Sequence, residues 1–310
     1  MKKLFAASGV LLLIMLAAAA VELTLESREA PPPPAAFAQV GGTKVRYRMT
    51  NPDGAGPVVV FVNGIGASLE QWETLQTGAS AFAKTLAYDR GGSGFSSGAA
   101  GYDVEAQAGE LAGLLRVLRV DRPVVLVGYS FSASIARIFA SRHPERTAGL
   151  VLAEPYFAEI ERDAGTRQVP FRRYARWLLH ESFVTLFGLR RLNNSRNATP
   201  ASPHDRATLA VLQRFSHWLA VDREWLEMRA SEREVTATPE AAVPEAVIVT
   251  SPMTGLSYGP PMMKLYRDFA RRSRKGELRV LERMPHEQLL QNPTSLSALT
   301  SAIRDVAREP

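Results

Sequence analysis

The sequence predicts an α/β fold: a mostly parallel central sheet with helices on both faces and an inserted helical cap. Uninterrupted runs of β-branched and aromatic residues, such as Val58 to Val62 and Val124 to Val127, lack the polar alternation of a half-exposed strand and read as strands buried on both faces. Segments of helical spacing alternate with these runs, which implies βαβ crossovers. Between residues 156 and 240 the alternation stops, and helix-like stretches rich in Trp, Phe and Arg follow with no convincing strand.

Composition narrows the chemistry. The chain has 310 residues, 46% apolar and 22% charged, enough for a sizeable core and too apolar for disorder. It has no cysteine, which excludes a disulfide framework, thiolate zinc, iron–sulfur clusters and a cysteine nucleophile. A net charge of +6 without a dense basic block does not point to nucleic acid.

Met1-Lys2-Lys3 precedes an apolar run that continues to Val21, the pattern of a signal peptide or an uncleaved signal anchor. Alanines at 17, 19 and 20 offer cleavage sites, while about 18 apolar residues also approach a membrane span. Glu22 to Glu29 and the prolines at 31–34 then read as a stalk extended as polyproline II. The expected organisation is 1–21 signal peptide or anchor, 22–38 stalk, 39–155 with 241–310 core, and 156–240 cap. The catalytic domain is expected outside the cytoplasm, membrane-anchored or secreted.

Along the core, Val40 to Arg48 reads as two strands about a Gly41-Gly42 turn, and Thr85 to Tyr88 as a short strand before the loop Asp89 to Gly94. Asp103 is placed to cap a helix whose apolar positions are Val104, Ala108, Leu111, Leu115 and Leu118. Further strands are expected at 149–153, 246–250 and 277–281, with helices over 260–272 and 293–308.

Gly128-Tyr129-Ser130-Phe131-Ser132 nearly matches G-x-S-x-G between a buried strand and a helix. The flanking positions must be small because strand and helix approach closely there, and Ser132 in place of Gly adds one hydroxymethyl group. On its own the pentapeptide also fits a strand-to-helix turn with an N-cap serine.

Five landmarks in order make the chain resemble the α/β-hydrolase superfamily from about Val40 onward: Asn63-Gly-Ile-Gly66, Tyr88-Asp-Arg-Gly-Gly-Ser-Gly94, the turn at Ser130, His143 to Arg146 leading into Gly149 to Pro155, and Pro285-His286. The N-terminal segment and the 88–94 loop are similar to those of membrane-anchored bacterial serine hydrolases. The resemblance implies Ser130 as nucleophile, His286 as the base that takes its proton, and the backbone amides of Ile65 and Phe131 as the oxyanion hole. Most such proteins place an Asp after the strand that here ends at Thr250, but this chain continues Ser251-Pro252-Met253-Thr254-Gly255. A variant takes the acid from the end of the preceding strand, where Glu154 stands. Asp89 and Arg90 are expected to fix a turn near the pocket.

The implied activity is cleavage of an ester or related acyl bond in a small, apolar acyl compound through an acyl-enzyme on Ser130. An acyltransferase and a catalytically inactive ligand-binding module are the alternatives, the latter favoured by the missing Asp. Dehalogenase and epoxide-opening chemistry in this fold require Asp at the position of Ser130. No cofactor is implied, because neither G-x-G-x-x-G nor a P-loop can be read, and no metal, because the five histidines lack ligand spacing. The arginine-rich aromatic stretch Phe171 to Leu192 reads either as a face for acidic lipid or as cap helices with solvated arginines.

Overall fold

The computed structural model describes residues 2–33, 36–51, 53–54, 56–157, 159, 171–250, 259–273, 275–282 and 284–308. Eight strands, β1 (Ala36–Val40), β2 (Thr43–Thr50), β3 (Val58–Val62), β4 (Thr85–Tyr88), β5 (Val124–Tyr129), β6 (Thr147–Ala153), β7 (Glu245–Thr250) and β8 (Glu277–Leu281), form one sheet in the order β1-β2-β4-β3-β5-β6-β7-β8. β2 is antiparallel to both neighbours, and the pairings from β4 to β8 are all parallel.

The apolar runs explain the layers. In β3, Val58, Val60 and Val62 point to one face and Val59 and Phe61 to the other, and all five are buried. The first face is covered by α3 (Val104–Val117), α4 (Ser132–Arg142) and α10 (Gly259–Arg272), through residues such as Leu111, Ile135 and Phe269. The second is covered by α2 (Glu73–Ser80) and α11 (Pro293–Ala307), through Leu75, Ala79, Leu299 and Ile303. Each such Leu, Ile or Phe side chain contributes about 1.5–3 kcal/mol on burial, so the sheet is fastened from both sides. Helix starts follow local chemistry: the Asp103 carboxylate accepts from the Ala106 N–H to open α3.

Five helices form the insertion over its described residues: α5 (Phe171–Leu186), α6 (Leu189–Asn197), α7 (Pro203–Leu212), α8 (Phe215–Leu226) and α9 (Met228–Ala237). Ser202 and Asp205 make a reciprocal capping box at the start of α7. Trp218, Val221 and Trp225 of α8 join the core cluster on the first face, and the Tyr174 ring lies 4.3 Å from Trp225.

The N-terminal helix α1 (Lys2–Arg28) differs from the expected stalk. Residues 22–28 continue the helix, and β1 already begins at Ala36. The physical reason is charge pairing with the cap. Arg191 grips the Glu22 carboxylate (2.8 Å) and reaches Glu29 (3.2 Å), and Glu26 accepts from the Phe215 and Ser216 N–H groups at the start of α8 (2.8 and 3.2 Å). Glu22 and Glu26 share one helix face at a spacing of four, and Glu29 follows directly after the helix, so they are presented together. Arg191 is therefore paired rather than solvated.

Candidate active site

Ser130 lies between the end of β5 and the start of α4, with φ of +56°. A non-glycine residue there costs about 1–3 kcal/mol and must be held by its surroundings. The Ser130 N–H donates to Ala153 O (3.0 Å), and the Ser130 carbonyl accepts from Tyr156 (3.1 Å) and Ala133 (3.2 Å). Gly128 permits the turn, since a Cβ there would sit 3.0 Å from Ala133 N and Cα. Ser132, the departure from the usual glycine, is put to use: its hydroxyl accepts from the Tyr129 N–H (2.9 Å) and donates to Val62 O (2.6 Å), tying the turn to β3.

Glu154, at the end of neighbouring β6, also has a left-handed backbone, with φ of +44°. Its N–H donates to Ile248 O (2.7 Å), which turns the side chain toward the end of β7. The carboxylate is only 4% exposed and accepts from the Thr250 N–H (3.2 Å) and hydroxyl (2.8 Å). His286 opens a short 3₁₀ turn after β8, and its Nδ1 lies 3.8 Å from Glu154 Oε2. That separation exceeds a hydrogen bond, although contacts of this kind tighten when substrate binds. Tyr129, immediately before Ser130, holds the imidazole in place. The two rings stack at 4.8 Å and 19°, and the Tyr129 hydroxyl donates to His286 O (3.0 Å).

Ile65 and Phe131 stand where the resemblance places them, in the loop after β3 and directly after Ser130. Among the described residues neither amide donates a hydrogen bond. Buried Asn63 fixes the loop: its amide donates to Tyr88 O (2.8 Å) and its oxygen accepts from Trp72 Nε1 (2.8 Å). Asp89 ties the loop after β4 to its neighbours. Asp89 accepts from the Leu69 N–H (2.8 Å) and Phe95 N–H (3.1 Å) and pairs with Arg46 (3.1 Å).

Arg90 does more than fix a turn. Fully buried, it donates to the carbonyls of Asn63 and Gly64 in the loop after β3, and its Nη2 donates to both oxygens of Glu224 on α8 (2.6 and 2.7 Å). His217, seven residues earlier on the same face of α8, is also fully buried. Its Nδ1 accepts from the Gly94 N–H (3.1 Å), which leaves Nε2–H to donate to Gly66 O (3.2 Å). Burial, helped by the charge of Arg90, lowers its pKa to about 4, so the ring is neutral. Sequence motifs single out none of His217, Glu224, Tyr129 and Thr250. A spacing of seven with helical periodicity was the available signal for the first pair.

Ser251 to Gly255, where the usual acid would stand, lie outside the described residues, as does the Glu287 side chain.

Residues 57–178 match a family described as alpha/beta hydrolase fold. A 2-hydroxy-6-oxo-2,4-heptadienoate hydrolase of Pseudomonas putida is 39% identical over 104 residues, 32% of this chain and 37% of that protein. The chain thus matches little more than a third of that relative's length. Among solved structures, a Vigna radiata epoxide hydrolase variant superposes with a TM-score of 0.68 at 17% identity, covering 89% of this chain and 98% of the other. An esterase from Thermogutta terrifontis gives 0.59 at 18% identity, covering 88% and 99%. The superpositions show the shared fold.

Proposed function

We propose that this chain, an α/β hydrolase by fold, is a serine hydrolase that cleaves an ester or related acyl bond in a small, apolar acyl compound. The observation that carries the reading is the approach of the Glu154 carboxylate to His286 Nδ1 (3.8 Å) while the imidazole stacks on the residue that precedes Ser130. A serine hydroxyl is too weakly acidic to attack unaided, so it needs an imidazole base, and the base needs a carboxylate to fix its tautomer and stabilise its charged form.

In this mechanism His286 takes the Ser130 proton as Oγ bonds to the acyl carbon, and the resulting oxyanion is held by the Ile65 and Phe131 amides. The tetrahedral species collapses, the leaving oxygen receives the proton from His286, and the acyl group stays on Ser130. Water then gives a proton to His286 and attacks the acyl carbon, the second collapse returns the proton to Ser130, and the acid is released. Glu154 serves throughout to orient the ring through Nδ1. The serine at the turn separates this reading from epoxide opening, which needs a carboxylate there, despite the shared architecture.

We also place the catalytic domain on the extracytoplasmic side, because Lys2 and Lys3 precede the apolar part of α1 and favour the cytoplasmic side.

The test is labelling by a fluorophosphonate probe, with turnover of nitrophenyl esters of graded chain length. Wild type should be labelled and Ser130→Ala should not, with ester turnover falling about 10⁴-fold or more. A wild-type chain that neither reacts with the probe nor turns over any ester would instead be a binding module. Acyl transfer to added alcohols in preference to water would make it a transferase.

A further inference from the structure

The N-terminal helix and the cap together define how the molecule meets a lipid surface. The apolar segment from Leu4 to Val21 is 18 residues, about 27 Å of helix against a hydrocarbon layer of about 30 Å. The helix is long and apolar enough to cross a membrane, and little of it is buried against the rest of the chain. A span this short leaves no slack: if it crosses, the bilayer surface must lie close to Glu22.

The cap reaches below that level. Phe187, Leu192 and Ser195 form one wall of a groove whose other wall includes Ala17, Ala18 and Val21. Ala17 is five residues before Glu22, about 7 Å deeper along the helix. The docking is built rather than incidental, because buried Glu22 and Glu26 are gripped by Arg191 and the start of α8. Gly188, with φ of +70°, lets the α5–α6 corner close to within 3.1 Å of the Glu22 carboxylate, measured from where a Cβ would stand. Around this corner the apolar surface continues. The Phe183 and Phe187 rings meet at 4.7 Å, and Phe183, Leu189 and Leu192 are 49%, 48% and 45% exposed.

We propose that the face formed by Phe183, Phe187, Leu189 and Leu192 is seated in the surface of the bilayer crossed by α1, so that the cap rests on lipid instead of standing off it on a stalk. A helix anchor alone would leave these side chains in water, whereas the groove shared with Ala17 and Ala18 carries them into the apolar layer. This surface is independent of the chemistry assigned to Ser130.

The test uses the full chain in phosphatidylcholine vesicles, with Leu192→Trp as reporter and brominated acyl chains as quencher. The added emission, measured as the difference from the parent chain, should fall at least two-fold in brominated vesicles compared with unbrominated ones. Introducing Phe183→Glu and Leu189→Glu into the reporter chain should abolish most of that quenching while α1 keeps the protein in the vesicle fraction. If the double variant does not fold, the reporter alone still decides. An unquenched reporter in vesicle-bound protein overturns the proposal, and cross-linking of pairs through this face would assign it to a second copy of the chain instead.

Discussion

The carboxyl edge of the sheet and the cap are held by different forces, and each region is vulnerable in its own way. At the edge, Ser130 and Glu154 are positioned by main-chain bonds to Ala153, Tyr156 and Ile248, so their placement belongs to the sheet itself. The cap is fastened by side chains, chiefly Glu224 on Arg90 and His217 on Gly66 and Gly94. Loss of a side chain at the edge should therefore remove chemistry and spare the fold, whereas loss of one in the clasp should loosen the molecule first.

The sharpest break is expected from Glu154→Gln, which keeps the shape and the Thr250 contact but removes the charge to which the proposed mechanism gives the orienting of His286. Ester turnover should fall about 10³-fold with the urea midpoint little changed. Wild-type turnover would remove Glu154 from the mechanism. The clasp should respond the other way. Glu224→Gln strands the Arg90 guanidinium in a dry site, a loss of about 3–5 kcal/mol in urea denaturation, and equal stability in the two chains would show that the pair does not fasten the cap.

The third effect is a pH dependence. Unfolded, His217 takes up a proton as pH falls through 6.5, but the folded ring resists until about 4. Its contribution to stability is thus complete above pH 6.5 and is lost as pH falls to about 4, by roughly 3 kcal/mol. His217→Gln can offer a donor and an acceptor without titrating. The stability of wild type relative to this variant should fall by that amount across the window, and parallel pH profiles would refute the assignment.

The same division explains what the sequence disclosed. β3 and β5 were legible because burial on both faces demands unbroken apolar runs, and Ser130 because a strand, a tight turn and a helix leave a local signature. Glu154 was reachable because a strand end is a place on a known edge. The Arg90–Glu224 pair joins residues 134 apart and the Glu22–Arg191 pair residues 169 apart, with no local pattern linking the partners. Reading 22–29 as part of a stalk followed from its charge, since nothing nearby shows that buried cap groups answer those carboxylates.

The Glu26 carboxylate on the first amides of α8 has a practical corollary. A protein begun after Arg28 would leave those amides without their anion and would leave Arg191 and Arg214 with Glu29 as their remaining N-terminal carboxylate. The N-terminal helix is thus a working part of the cap's fastening, and trimming it to gain solubility would unsettle the start of α8.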